Sequence, residues 1–147
     1  MSLSRFARRL GIGDWPPYLS TALGAGETTL MRLATAYAMV VNGGRQIHPA
    51  LVERIQDRDG KTIFRRDERP CEACSVPEWH PGLQPPVLPD TRDQVLNPLD
   101  AYQLVHVMEG VIQRGTGRRA LSIGKPLAGK TGTTNDSFDA WFMGFSP

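Results

Sequence analysis

The chain has 147 residues and a formal net charge of +2 at pH 7, with 40% hydrophobic and 22% charged residues. This length and composition suffice for one hydrophobic core but not for two domains. Lys and Arg are interspersed with Asp and Glu, which gives no basis for a nucleic-acid partner. No apolar run could span a membrane and no signal peptide opens the sequence, so we expect any export or anchoring segment to lie outside it.

The first third of the chain contains patterns typical of two helices. Residues 1–10 form a short amphipathic pattern, and Gly11 ends it. After a proline-rich connection, Thr28 is a candidate N-cap for a helix over Thr29–Val41. The Asn-Gly-Gly sequence at 42–44 then supplies a left-handed stop.

The middle of the chain changes from a strand pattern to a proline-rich one. Segments 50–56 and 61–65 flank an Asp-Arg-Asp-Gly turn at 57–60 and therefore predict a β-hairpin. Seven of the twelve prolines fall between residues 70 and 98, where hydrophobic periodicity is absent. We therefore predict that residues 66–97 form a long surface loop or an insertion.

Both cysteines, Cys71 and Cys74, lie in this proline-rich segment. A lone Cys-x-x-Cys pair is a weak signal for zinc, because a closed zinc site needs four ligands and only His80 stands nearby. A redox pair normally opens a helix of a βαβ unit, which proline-rich surroundings do not provide. We therefore expect a local disulfide or two reduced thiols, and we expect no metal and no cofactor.

A further helix is predicted after the proline-rich segment. Asn97 is a candidate N-cap and Pro98 suits the first helical position, so the helix should run from there to about Gln113. The residues predicted to form its apolar stripe are Leu104, Val107, Met108 and Val111.

The segment from Gly124 to Thr134 matches two unrelated motifs. Residues 130–132 match the Lys-Thr-Gly motif of penicillin-recognising serine enzymes. Residues 124–131 match G-x-x-x-x-G-K-[ST], the phosphate-binding loop of nucleotide-binding proteins. In either case a lysine, threonine hydroxyls and closely approachable backbone N–H groups are suited to hold an anion or a carbonyl oxygen.

The surrounding sequence favours the Lys-Thr-Gly motif. A phosphate-binding loop needs a helix after Thr131, but Gly132 and the polar, β-branched residues after it open a helix poorly. Residues 127–133 suit a strand and residues 141–143 suit its antiparallel neighbour. We therefore predict a hairpin, and a nucleotide-binding protein that uses Gly124–Thr131 is the alternative.

Several segments, in this order, resemble the transpeptidase domain of class A (bifunctional) penicillin-binding proteins. They are residues 22–27, 36–44, 114–120, 128–136 and 139–142. The resemblance spans almost the whole chain and identifies residues 1–147 as the C-terminal part of one such domain. It implies an α+β class: a partial penicillin-binding-protein/β-lactamase-like fold, with antiparallel strands packed against helices and truncated at both ends.

The resemblance also implies roles for five residues of the Lys-Thr-Gly segment. Lys130 and Thr133 would be catalytic, because Lys130 would supply positive charge near a serine nucleophile and the N–H of Thr133 would form half of an oxyanion hole. The substrate would be bound by Thr131, Gly132, Thr133 and Thr134. That substrate would be a D-Ala-D-Ala stem peptide of peptidoglycan, or a β-lactam.

Two motifs of the family, Ser-x-Asn and a Ser-x-x-Lys in a sequence that favours a helix, are not found in this chain. No Ser-x-Asn occurs. The one literal Ser-x-x-Lys, Ser122–Lys125, contains Gly124 and precedes Pro126, which disfavour the helical turn that the motif requires. We therefore expect the nucleophile to lie outside this chain and the fragment to be inactive alone. A non-catalytic scaffold module is a third interpretation.

For the parent protein, the resemblance implies a serine-type D,D-transpeptidase with a glycosyltransferase half. Such a parent would be anchored in the bacterial cell envelope, at the periplasmic face of the inner membrane. Strands and helices cut from a larger domain leave strand edges and an apolar face uncovered, so we expect the fragment to self-associate.

Overall fold

The computed structural model describes residues 2–71, 74, 78 and 80–146. Its helices are α1 (Leu3–Arg9), α2 (Leu19–Ala22), α3 (Leu30–Val41) and α4 (Pro98–Gln113). Its strands are β1 (Arg54–Gln56), β2 (Thr62–Arg65), β3 (Ala128–Thr133) and β4 (Ala140–Phe145). The strands form two antiparallel hairpins, β1–β2 and β3–β4, so the predicted α+β class is confirmed.

The chain divides into two compact units. The first combines the residues up to 47 with those from 93 onward, and the second consists of residues 48–92. The first unit holds both long helices and the hairpin β3–β4, and the second holds the hairpin β1–β2. This division does not test whether residues 1–147 belong to one transpeptidase domain, so that assignment stays a prediction.

The core of the first unit lies around α4, between α3 and β3. α4 packs against both α3 and β3, and the buried cluster consists of Leu10, Ala36, Met39, Val40, Val95, Leu96, Met108 and Ala128. At its margin the ring of Tyr37 meets that of Phe145 edge to face, with centroids 6.4 Å apart. Burial raises the pKa of Tyr37, as expected for a packed phenol.

The ends of α3 differ in one detail from the prediction. The side chain of Thr29, rather than that of Thr28, accepts a hydrogen bond from the backbone N–H of Arg32 at 3.3 Å. Thr28 instead donates its hydroxyl to the carbonyl oxygen of Ile12, so it holds the connection after α1 and is not available as a cap. The glycine stop is confirmed, because Gly43 has a φ of +69°.

Gly44 joins α3 to the segment that leads into α4. Its carbonyl oxygen accepts from the N–H groups of Val95 and Leu96 at 2.8 and 3.0 Å. Its φ is +83°, and a Cβ at this position would lie 2.5 Å from the carbonyl oxygen of Leu96. Only glycine fits this close approach of two backbone segments.

α4 begins where the sequence predicts, but it buries a partly different face. The Asn97 side chain accepts from the N–H of Leu99 at 2.9 Å. Met108 is buried as predicted, whereas Leu104 and Val107 are exposed. The buried face is made by Ala101, Met108, Gly110 and Ile112, because that face meets α3 and β3. Among the described residues, no helix has the length and apolar character needed to cross a membrane.

The second unit is built on the hairpin β1–β2, whose strands are shorter than predicted. Its turn is held by the Asp57 carboxylate, which accepts from the N–H groups of Asp59 and Lys61 at 3.0 and 2.9 Å. Of the two states expected for Cys71 and Cys74, a local disulfide or two reduced thiols, the structure has the disulfide. The described parts of the predicted loop 66–97 contain no further strand or α-helix. Its last residues are not surface loop, however, because Val95 and Leu96 are buried in the core of the first unit.

The Asp67–Arg69 pair of this unit gives a pH-dependent prediction. Hydrogen bonds from the Arg69 side chain, at 2.5 and 2.8 Å, and then from its backbone N–H lower the pKa of Asp67 to about 2. Any stability from this pair should be fully present above about pH 4 and lost as pH falls toward 2. NMR titration of the carboxyl carbon should find that low pKa, and Arg69→Gln should raise it.

The similar neighbouring pair Asp90–Arg92 supplies the control. Arg92→Gln should leave the pKa of Asp67 low, because Arg92 does not contribute to that shift. An ordinary carboxyl pKa for Asp67 in the unmodified chain would contradict the described contact.

Candidate active site on strand β3

The Lys-Thr-Gly segment lies on β3, in the antiparallel hairpin with β4. Lys130 stands opposite Met143, Thr131 opposite Phe142, and Thr133 opposite Ala140. The predicted hairpin is confirmed. The phosphate-binding-loop interpretation is wrong, because Gly132 and Thr133 continue strand β3 after Thr131 and do not open the helix that such a loop needs.

One edge of β3 is open. Its sheet has two strands in the described part of the chain, so β4 covers a single edge of β3. The N–H of Thr134, just beyond the strand, donates to the carbonyl oxygen of Asp139 at 3.0 Å, toward the β4 side. The N–H and C=O groups of successive strand residues point to alternate edges. Since those of Thr134 point toward β4, those of Thr133 and Thr131 point to the open edge.

The side chains of Lys130 and Thr131 meet at this edge. The Lys130 Nζ donates to the carbonyl oxygen of Thr131 at 2.8 Å and lies 3.4 Å from its Oγ1. Lys130 is exposed and Thr131 is half-buried. An ammonium group and a hydroxyl therefore lie together beside the backbone groups of the open edge, which suits an anionic or carbonyl ligand.

Thr116 is a member of this site that the sequence did not single out. Its Oγ1 lies 2.7 Å from the Oγ1 of Thr131. Thr116 follows α4 in chain order and belongs to the segment 114–120, which carries part of the family resemblance. That membership was the only sequence signal for it, since no local pattern pairs it with Thr131.

The four predicted substrate-binding residues are not equivalent in the structure. The side chains of Thr131 and Thr133 share one face of β3, because they are two residues apart. Thr134 closes the hairpin turn, since its Oγ1 accepts from the N–H of Asp139 at 2.8 Å. Gly132 is exposed on the strand between them.

The two glycines of the motif segment have different surroundings. A Cβ at Gly129 would lie 2.5 Å from the carbonyl oxygen of Met143 and 2.8 Å from the Cα of Gly144. A Cβ at Gly132 would meet no atom within 4 Å, chain neighbours aside, among the described residues. Packing within the hairpin therefore requires glycine at 129, whereas at 132 the space beside the strand is free for a ligand to approach.

Ser122 does not form a Ser-x-x-Lys site in this structure. It lies in a 3₁₀ segment, Arg118–Ile123, and its hydroxyl donates to the carbonyl oxygen of Arg119 at 2.9 Å. Gly124, with a φ of +69°, then ends that segment before Lys125. The helical turn that would bring the serine and the lysine together is therefore interrupted.

Comparison with known proteins gives a consistent result. The penicillin-binding protein transpeptidase domain family matches residues 15–147. Penicillin-binding protein 1A of Rickettsia conorii is 44% identical over 144 residues, 95% of this chain and 18% of the relative. Penicillin-binding protein 1A of Neisseria gonorrhoeae is 37% identical over 146 residues, 97% of this chain and 16% of the relative. The chain thus spans less than a fifth of these relatives.

A solved structure extends the likeness to three dimensions. The crystal structure of penicillin-binding protein 1A from Haemophilus influenzae superposes with a TM-score of 0.73 at 30% identity. The superposition covers 97% of this chain and 24% of that chain. The predicted penicillin-binding-protein-like fold is therefore confirmed for a part of such a domain.

The two glycines give a paired prediction of stability. Gly129→Ala forces a Cβ against the β4 backbone, so it should lower the free energy of unfolding by about 1–3 kcal/mol, as overpacking does. Gly132→Ala should change it by less than about 0.5 kcal/mol, the usual range for an exposed position. Denaturant unfolding followed by circular dichroism measures both, and equal losses would contradict the described packing.

Proposed function

The chain belongs to the penicillin-binding protein transpeptidase family, and we propose that it forms the Lys-Thr-Gly wall of a peptidoglycan D,D-transpeptidase active site. The main support is the location of this motif on a strand with one open edge. Lys130, Thr131 and the backbone groups of Thr133 all lie along that edge. An extended peptide ending in D-Ala-D-Ala can add to such an edge as a further strand.

Each site residue then has a distinct task. The Lys130 ammonium provides positive charge that favours anionic groups and assists proton transfer near the nucleophile. The hydroxyls of Thr131 and Thr133 bind the terminal carboxylate of the peptide or of a β-lactam. The N–H of Thr133 donates to the oxyanion that forms when the carbonyl is attacked. Gly132 and Thr134 complete the substrate-binding segment, with Thr134 acting through the turn that it closes.

The nucleophile comes from a part of the protein that this chain does not cover. We propose that a serine there attacks the penultimate D-Ala carbonyl, expels the terminal D-Ala and leaves an acyl-serine ester. The amine of a second stem peptide then resolves that ester and forms the cross-link. The chain alone holds one wall of this site and is therefore not acylated.

The relatives suggest the setting of the whole protein. Two of them are named penicillin-binding protein 1A, and the chain spans 18% and 16% of their lengths. We propose that the intact protein also has a glycosyltransferase half and is anchored in the cell envelope, with the transpeptidase site on the periplasmic side of the inner membrane.

Acylation kinetics of the intact protein test the role of Lys130. Lys130→Ala should lower the second-order rate constant for acylation by a fluorescent penicillin by roughly 10²–10³, the usual loss when a group that stabilises transition-state charge is removed. Lys125→Ala is the matched control and should leave the rate unchanged, because Lys125 follows Gly124 outside β3. Equal rates for the two variants would contradict the assignment.

Self-association of the isolated chain is a separate prediction. Leu99 and Tyr102 on α4 are each 72% exposed and Val107 is 64% exposed. The β3–β4 sheet has two strands in the described part of the chain, so its outer edges are open as well. Light scattering should therefore give a mass above the 16.2 kDa of the monomer as concentration rises. Tyr102→Lys with Val107→Lys should reduce that mass. Leu51→Lys, in the other unit, should not, and a monomer at every concentration would contradict the prediction.

A further inference from the structure

We propose that Thr116 is a positioning residue for the anion-binding hydroxyl of the site. Its hydroxyl donates to the Oγ1 of Thr131 and thereby leaves the Thr131 proton free to bind the carboxylate of the ligand. The proposal rests on the proposed function, because it explains how the carboxylate-binding group is prepared. The two oxygens lie 2.7 Å apart, a strong hydrogen-bond distance for hydroxyl groups.

The loop that carries Thr116 is fixed to the end of α4. The N–H groups of Gly115 and Gly117 both donate to the carbonyl oxygen of Val111, at 3.2 and 2.9 Å. A Cβ at Gly115 would lie 2.9 Å from the Cα of Val111, and one at Gly117 would lie 2.8 Å from the Cδ1 of Ile112. The glycines on both sides therefore allow the backbone to fold tightly onto the helix, and Thr116 is held over β3.

The direction of the Thr116–Thr131 hydrogen bond determines whether Thr131 has a proton left for the ligand. A hydroxyl oxygen has one proton and two lone pairs. The Lys130 Nζ, 3.4 Å away, carries only donors, so it engages one lone pair. If Thr116 accepts, the single proton of Thr131 points toward the loop and no donor is left for the ligand. If Thr116 donates, it uses the second lone pair and the proton is free.

A bound carboxylate selects the arrangement in which Thr116 donates to Thr131. A carboxylate accepts hydrogen bonds and donates none, so it binds Thr131 only when the proton of that hydroxyl is directed outward. In that arrangement the Thr116 hydroxyl holds the Thr131 oxygen in place and leaves its proton to the ligand, which lowers the reorganisation that binding requires. A methyl group in place of the Thr116 hydroxyl would keep the shape of the loop and lose this ordering.

The test measures acylation of the intact protein by a fluorescent penicillin. Thr116→Val should lower the second-order rate constant roughly tenfold, the scale of losing one intramolecular hydrogen bond. Thr116→Ser should restore it to within about twofold, because it returns the donor. Thr35→Val is the control: it removes a hydroxyl that donates to the Met31 carbonyl within α3, and it should have no effect.

A double-mutant cycle separates positioning from a merely structural role. Once Thr131→Val has removed the anion-binding hydroxyl, adding Thr116→Val should cause no further loss. An additive loss, an unchanged rate in Thr116→Val, or a failure of Thr116→Ser to restore the rate would each overturn the inference. An unmodified intact protein that is not acylated at all would overturn the proposed function, and this inference with it.

Discussion

The packing of α4 against β3 fixes the position of every candidate site residue. Met108 on α4 and Ala128 at the start of β3 are members of one buried cluster. This contact leaves the side chains of Lys130 and Thr131 beside the open edge of the strand, while the loop after α4 reaches the same edge through Thr116. Rigid elements thus hold polar groups that would otherwise need ordering on each encounter with a ligand.

The features that the sequence predicts best are those set by local chemistry. The start of α4 follows from the capping side chain of Asn97 and the fixed φ of Pro98, and neither depends on distant residues. The β3–β4 hairpin follows from β-favouring residues on both sides of a polar turn. The Lys-Thr-Gly motif could therefore be assigned to a strand, and with it most of the candidate site.

The features that the sequence could not predict depend on tertiary partners. Thr28 and Thr29 can both cap a helix, and the carbonyl oxygen of Ile12 engages the first of them. The face that α4 buries depends on where α3 and β3 lie. The spacing of apolar residues along α4 therefore could not predict that Leu104 is exposed. The contact of Thr116 with Thr131 joins residues fifteen positions apart through the end of a helix.

The central claim is that this chain holds one wall of a transpeptidase site and not its nucleophile. Intact mass spectrometry of the folded chain after incubation with a penicillin tests it most directly, with circular dichroism to verify folding. The account predicts no covalent adduct on the folded chain. An adduct that maps to Ser122 would contradict it, because Ser122 and Lys125 would then form a self-sufficient acyl-serine site despite the interruption at Gly124.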